Sequence, residues 1–375
     1  MRALAAAFRQ EAARIAATPI DLIVLTLFPL VLLGLMTSML WGGTLLNLPV
    51  VIVDHDGGPL ARALSRNIEA TPSVHVVTVT PSREEALSML RSETAVAFLV
   101  IPPNVGNPSV NHAPVEVFYE AVFLSTGALA STNLEAVAGA TLAEQSARRS
   151  DIVGQTQATR SLPTVQLVLL GNPTLSPEWY LGLLIGPAIL HLVVAISCIG
   201  SLGVLLRHGS FRSFVRATPQ PAASLAGRLA VHVLAGTAWG IAWLLWMTLA
   251  RGYRVEGSII VMVVALALLF VATAALAILF LAVARDIGTA FSAAVIVAGS
   301  ALAYSGATLP LTGGLWWTQD WSQMLPLTHF LILQMDQLIG VTPAVAMRQI
   351  STLLLYPLIA GTVGMVLILQ SGRRA

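Results

Sequence analysis

Few side chains in this chain could do acid–base or nucleophilic chemistry, and those few are scattered. His191 and His232 are the only titratable residues placed well inside long apolar runs. An imidazole there either makes an interhelical hydrogen bond or relays a proton, and the hydrogen bond is the reading we favour. Cys198 is the single cysteine; it can form no intrachain disulfide, and its apolar neighbours point to packing. Asp54-His55-Asp56 offers metal-ligand types, yet three consecutive residues followed by Gly57-Gly58-Pro59 read as a turn, and no second cluster completes a coordination shell. No Ser/His/Asp or Cys/His set is legible. All 20 basic residues are arginine. A nucleotide-binding P-loop needs a lysine on the phosphates, so that motif cannot occur here, and ATP, if used, is bound by another polypeptide.

The elements that would carry these residues are mostly membrane-like. Of 375 residues, 56% are hydrophobic and 10% charged, against about 25% charged in soluble domains, and mean hydropathy is +0.80. Six apolar runs approach the length that crosses about 30 Å of hydrocarbon: 20–40, 179–206, 224–250, 258–284, 287–306 and 349–370. Pro29 interrupts the first, as membrane helices tolerate. No small-x-small cleavage site follows it, so it reads as a retained anchor. The spans lack carboxylates: Asp21, Glu256 and Asp286 fall at ends or in loops, which disfavours ion-coupled transport. Residues 1–18 set Leu4, Phe8 and Ile15 near one helical face, giving either an amphipathic surface helix or a plain extension. With six spans both termini share a side, and the short segments on that side hold ten arginines against three opposite. This predicts cytoplasmic termini. No basic stretch suits nucleic acid.

Residues 47–178 change character and carry a net charge of −5. Strands are expected at 48–53, 75–80, 95–101 and 115–120, with helices at 59–69 and from a capping box, Ser82-Arg83-Glu84-Glu85, to about 91. One or two long helices over 124–159 lead back to the apolar part. The expected organisation is therefore 1–46 as surface helix and first span, 47–178 as an extracytoplasmic α/β domain, and 179–375 as five further spans. In fold class this is a polytopic α-helical membrane protein with an inserted α/β domain.

Two remaining stretches combine unusual residues. Arg207, His208, Phe211, Arg212, Phe214, Arg216, Thr218 and Pro219 lie in a short cytoplasmic loop. Aromatic residues among arginines suit docking into a groove of a soluble partner; equally, the loop could rest on lipid headgroups. At 299–330 an apolar run ends at Tyr304-Ser305-Gly306, turns at Pro310, passes Trp316, Trp317 and Trp321, and resumes through Pro326 to Phe330. Tryptophans collect at headgroup level, so this segment reads as a helix top folding back near a gate.

The whole chain resembles the membrane subunit of ABC-2-type exporters, in the subgroup with a large extracytoplasmic domain after the first span. The resemblance rests on Phe28-Pro29, Leu48 to Asp54, Ala97 to Pro103, Thr218-Pro219 followed by Gly227-Arg228, Ser305-Gly306…Pro310, and Leu325 to Phe330. It implies an ATP-driven exporter of hydrophobic or amphipathic substrates in a bacterial inner membrane. It further implies a homodimer or a pair with a sister permease, each with a separate ATPase subunit that holds ATP and Mg. A periplasmic adaptor is a further partner this would allow. In such relatives the 207–219 loop grips the ATPase, and the segment after the fifth span is re-entrant. This loop departs from the family in lacking acidic residues. A membrane-anchored sensor and an ion-coupled transporter are the competing readings.

Overall fold

The computed structural model describes residues 2–41, 46–105, 114–119, 126–152, 176–207, 211–308, 311, 315–340 and 342–373. His208 and Pro310, and the side chain of Arg207, lie outside the described residues. The chain forms two compact units: 1–41 with 169–375, and 42–168.

In the first unit, α1 (Arg2–Ala17) leads into the first apolar segment, which is broken into α2 (Pro19–Leu25) and α3 (Leu27–Met39). The break has a covalent cause. Pro29 has no N–H for the Leu25 carbonyl, and that carbonyl instead accepts the indole N–H of Trp239 at 3.0 Å.

The second unit holds β1 (Leu48–Asp54), α4 (Pro59–Glu69), β2 (Val74–Thr80), α5 (Arg83–Arg91), β3 (Ala97–Ile101), β4 (Glu116–Tyr119) and α6 (Thr126–Ile152). The sheet order is β2-β1-β3-β4; the first three strands are parallel and β4 runs antiparallel to β3. Val50, Ile52 and Leu99 face α4 and α6, and Val51, Val53 and Phe98 face α5. That two-sided burial explains why β1 and β3 read as continuous apolar runs. Each expected strand lies within two residues of an observed one. Ser82 caps α5 by accepting from the Glu85 N–H. The reciprocal half of the capping box does not form: the Glu85 carboxylate instead takes the Thr80 hydroxyl.

The first unit resumes with α7 (Pro177–Arg207), α8 (Phe211–Ala217), α9 (Pro221–Leu245) ending in a π-turn at Trp246–Ala250, and α10 (Ile259–Ala284). It continues with α11 (Ile287–Ser300), α12 (Trp316–Gln323), α13 (Pro326–Ile339), α14 (Pro343–Tyr356), a π-turn at Pro357–Gly361 and α15 (Thr362–Arg373). Among the described residues, five helical stretches are long and apolar enough to cross a membrane: 19–39, 177–206, 221–250, 259–284 and 343–371. The remaining expected run, 287–306, forms a 14-residue helix and a short 3-10 turn at Ala303–Ser305. At 1.5 Å per residue α11 extends about 21 Å, short of the hydrocarbon thickness. The helix ends at Ser300, and the 3-10 turn after it stops where Gly306 takes a left-handed conformation, φ 75°.

α7 repeats the proline device of the first segment. Pro187 frees the Leu183 carbonyl, and the Gln334 side-chain amide of α13 donates to it at 2.7 Å. Gln337, one turn on, accepts from Ser258 N at 2.9 Å, while its carbonyl accepts from Gly257 N at 2.8 Å. α13 thus fixes both a weak point of α7 and the start of α10.

Candidate functional site

The polar residues of the helical unit converge on two buried carboxylates, one at each end of α7. Glu11 of α1 is 2% exposed. Its carboxylate accepts from Arg14 at 2.6 and 3.0 Å and from the Ser201 hydroxyl at 2.5 Å, and Arg228 Nε lies 2.7 Å away. His232 Nε2 is 3.4 Å from Oε1. Arg14 also pairs with Asp21, and Arg228 Nε donates to Ser201. Burial alone would push the Glu11 carboxyl up; the His232, Arg14 and Ser201 hydrogen bonds and the Arg228 charge outweigh it and hold the group well below the usual carboxylate range.

Neither buried carboxylate lies deep in a span: Glu11 is on α1, ahead of the first apolar segment, and Glu178 is in the first turn of the second. α1 does not simply lie along a surface with Leu4 and Ile15 inward. It packs against α9 closely enough that a Cβ at Gly227 would sit 2.2 Å from the Leu4 carbonyl oxygen, leaving Leu4 itself 41% exposed. Glu11 and Ile15 are the buried residues of α1. A buried carboxylate is tolerable only when paired and hydrogen-bonded, and α7 and α9 supply those partners.

Glu178, also 2% exposed, sits near the start of α7. It accepts from Arg251 at 2.6–3.0 Å and from the Tyr253 hydroxyl at 2.8 Å. Arg251 stacks over Trp41 at 4.7 Å, and Tyr253 stacks on Trp179 at 4.7 Å. Hydrogen bonding to Glu178 raises the Arg251 pKa. Glu178 and Ser201 are 23 residues apart on one helix, about 35 Å at 1.5 Å per residue. The two clusters therefore brace opposite ends of a membrane-length bundle, the second among aromatic side chains.

Both histidines in the apolar runs are buried. His191 Nδ1 lies 2.7 Å from the Thr273 hydroxyl, which itself donates to Leu269 O at 2.7 Å. Nδ1 must then be the donor, in the interhelical hydrogen bond expected from sequence. His232, for which an interhelical hydrogen bond is likewise the favoured reading, lies in the Glu11 cluster, its Nε2 3.4 Å from the carboxylate. Cys198 is fully buried in the helical core. Asp54 Oδ1 accepts from the N–H groups of Asp56 and Gly57, both at 2.9 Å, which closes a turn.

The loop residues divide by environment. Phe211 is 5% exposed and belongs to the core, and Phe214 packs partly against it. The Phe211 ring is buried, and the Phe214 ring is half-buried and lines a cavity. Arg212, Arg216 and Pro219 are exposed, and Thr218 is half-buried. Along the return segment, Trp316 is 75% exposed, Trp317 lies outward too, and Tyr304 is half-buried. Ser305, Pro326 and Phe330 are buried. His329, which the motif contained but sequence did not single out, joins Gln349 Oε1 at 2.8 Å and the Gln323 carbonyl at 2.9 Å, tying the return to α14.

Two apolar grooves open on the helical unit. One, about 430 Å³, runs between α3 and α9 and is walled by Leu30, Leu33, Trp41, Trp239, Trp243 and Trp246. The other, about 520 Å³, lies between α9, α10 and the π-turn at Pro357–Gly361. Such surfaces can hold an apolar ligand, a lipid chain or another helix.

Compared with known protein families, residues 20–369 match the model described as ABC-2 family transporter protein. The chain belongs to that family. It is a multi-pass membrane component of a transport system, a class generally without a catalytic site of its own, and membership implies an ABC ATPase as partner. Neither the characterised proteins nor the solved structures compared with this chain give a match.

Proposed function

We propose that this ABC-2 family protein is the permease subunit of an ATP-driven exporter for a hydrophobic or amphipathic substrate. The family match over nearly the whole chain carries the reading, and the apolar grooves beside α9 support the substrate class. The chain binds no cofactor itself; ATP and Mg belong to the partner subunit, in keeping with a sequence that has no lysine for a P-loop. Two permease subunits, identical or sister, enclose the path. α11 with its 3-10 turn makes the fifth of six crossings in chain order, and α12 and α13 form the re-entrant return at the outer gate. The termini and α8 then face the cytoplasm of a bacterium, residues 47–178 lie outside the inner membrane, and a periplasmic adaptor could meet them there. ATP binding shifts the pair between inward- and outward-facing states through α8.

Because Phe211 is core, the contact with the ATPase falls to the exposed face of α8, Arg212 and Arg216. The test is co-purification with the ATPase encoded beside this chain, for wild type and for Arg212→Glu/Arg216→Glu. Stoichiometric ATPase lost in the variant is the expected result. ATPase retained would move the contact elsewhere, and no ATPase in either preparation would overturn the reading.

A further inference from the structure

A cavity of about 510 Å³ opens between α1, the end of α7, α8 and the first turns of α9. Its polar wall is made by Gln10, Glu11, Arg14, Thr218, Ser224 and Arg228. Its other wall is apolar, with Leu205 and Phe214 opposite the alanines of α1. The volume falls within the range of small-molecule sites.

The donors of this wall are unevenly used. Glu11 is already surrounded by Arg14, Ser201, Arg228 and His232. Arg14 divides its nitrogens between Glu11 and Asp21. Arg228, by contrast, hydrogen-bonds among the described residues only through Nε. Among the described residues its two terminal amino groups, the Gln10 amide, and the Thr218 and Ser224 hydroxyls make no side-chain hydrogen bond. The two guanidiniums are balanced by Glu11 and Asp21, so what the wall offers is unused donor groups, whose capacity suits the oxygens of an anion. Position adds to this. α1 precedes the first apolar segment, Leu205 lies at the end of the second, and Ser224 is in the first turn of the third, so the cavity sits at the ends of apolar segments, where headgroups would lie.

We propose that this cavity binds the phosphate of an anionic phospholipid. Arg228 and the Thr218, Ser224 and Gln10 side chains hold the phosphate oxygens, and the upper acyl chain lies along Leu205 and Phe214. Basic pockets between membrane helices are known to take such headgroups, and a planar guanidinium suits phosphate geometry. The ligand would join α1, α8 and α9 into one body, so lipid charge would set how firmly α8 is held. The inference needs only that the α1 end of the bundle lies at headgroup level, and it stands or falls independently of the exporter reading.

The test uses the full chain in detergent micelles, with thermal unfolding followed as lipid is added. The probes are phosphatidylglycerol, phosphatidylcholine and inorganic phosphate. The variant is Gln10→Leu/Thr218→Val/Ser224→Ala, which leaves the Glu11 ion cluster intact and should match wild type without lipid. Phosphatidylglycerol should stabilise wild type, phosphatidylcholine should do so much less, and the variant should weaken the response by about fivefold for each donor lost. Equal stabilisation by both lipids, or an undiminished response in the variant, would overturn the site. Inorganic phosphate protecting as well as phosphatidylglycerol would overturn the lipid assignment in favour of a free anion. Loss of the lipid effect when the ATPase subunit is bound would overturn it in favour of a protein contact.

Discussion

Replacing Glu11 by glutamine tests whether the N-terminal helix is held by its buried charge. The substitution keeps size and one acceptor oxygen but leaves Arg14 and Arg228 facing each other without the shared carboxylate. Removing one partner of a buried ion pair costs about 3–5 kcal/mol. Here the cost falls to about 2–3 kcal/mol by the same reasoning, because Asp21 still holds Arg14 and both guanidiniums reach the open cavity. The assay is thermal unfolding of the purified chain, paired with limited trypsin digestion after Arg9 and Arg14; α1 should become cleavable in the variant first. The pH dependence has a defined sign. The donors hold the Glu11 carboxyl below its ordinary value of 4.5, so its stabilisation is complete at neutral pH and is lost as pH falls through the lowered native value. The gap between wild type and Glu11→Gln should be widest at pH 7 and shrink on acidification. A variant as stable and as protease-resistant as wild type at pH 7 would refute the reasoning.

Gly227→Ala should release the same helix by a steric route, since its Cβ would meet the Leu4 carbonyl; about 1–3 kcal/mol is expected, read by the same digestion. Gln334→Leu should cost about 1–3 kcal/mol by orphaning the Leu183 carbonyl, and far less in a Pro187→Ala background, where the helix regains its own N–H. Additive effects in that double-mutant cycle would contradict the proposed role of Gln334. Arg251→Gln should destabilise by about 2–3 kcal/mol by unpairing Glu178, with an unfolding midpoint unchanged in the variant arguing against that brace.

The sequence was most informative where signals are local. Alternation, turn residues and the Ser82 cap placed the strands and helices of residues 48–101 to within two residues, and length with hydropathy placed five apolar helices. The run at 287–306 looked like the others because hydropathy counts residues 301–306 as apolar, although the helix ends before them. What could not be read was tertiary. Glu11 lies 190 and 217 residues from Ser201 and Arg228, so nothing in its own surroundings marks it as buried. A signal was present in retrospect: a lone acid among arginines in α1, with a Gly-Arg pair about two helical turns inside α9. Pro29 announced an interrupted helix, but not that Trp239 would take the freed carbonyl, and Pro187 with its Gln334 partner was not singled out at all. The burial of Phe211 was likewise not legible, because in sequence an aromatic residue between arginines fits a docking face and a core anchor equally well, and only packing separates the two.

The most direct measurement is transport by vesicles reconstituted with this chain and its ATPase, following release of a fluorescent amphipathic compound. The account predicts movement that requires ATP, persists when an uncoupler collapses ion gradients, and fails without either subunit. Movement by this chain alone, driven by a proton or sodium gradient and abolished by the uncoupler, would contradict it.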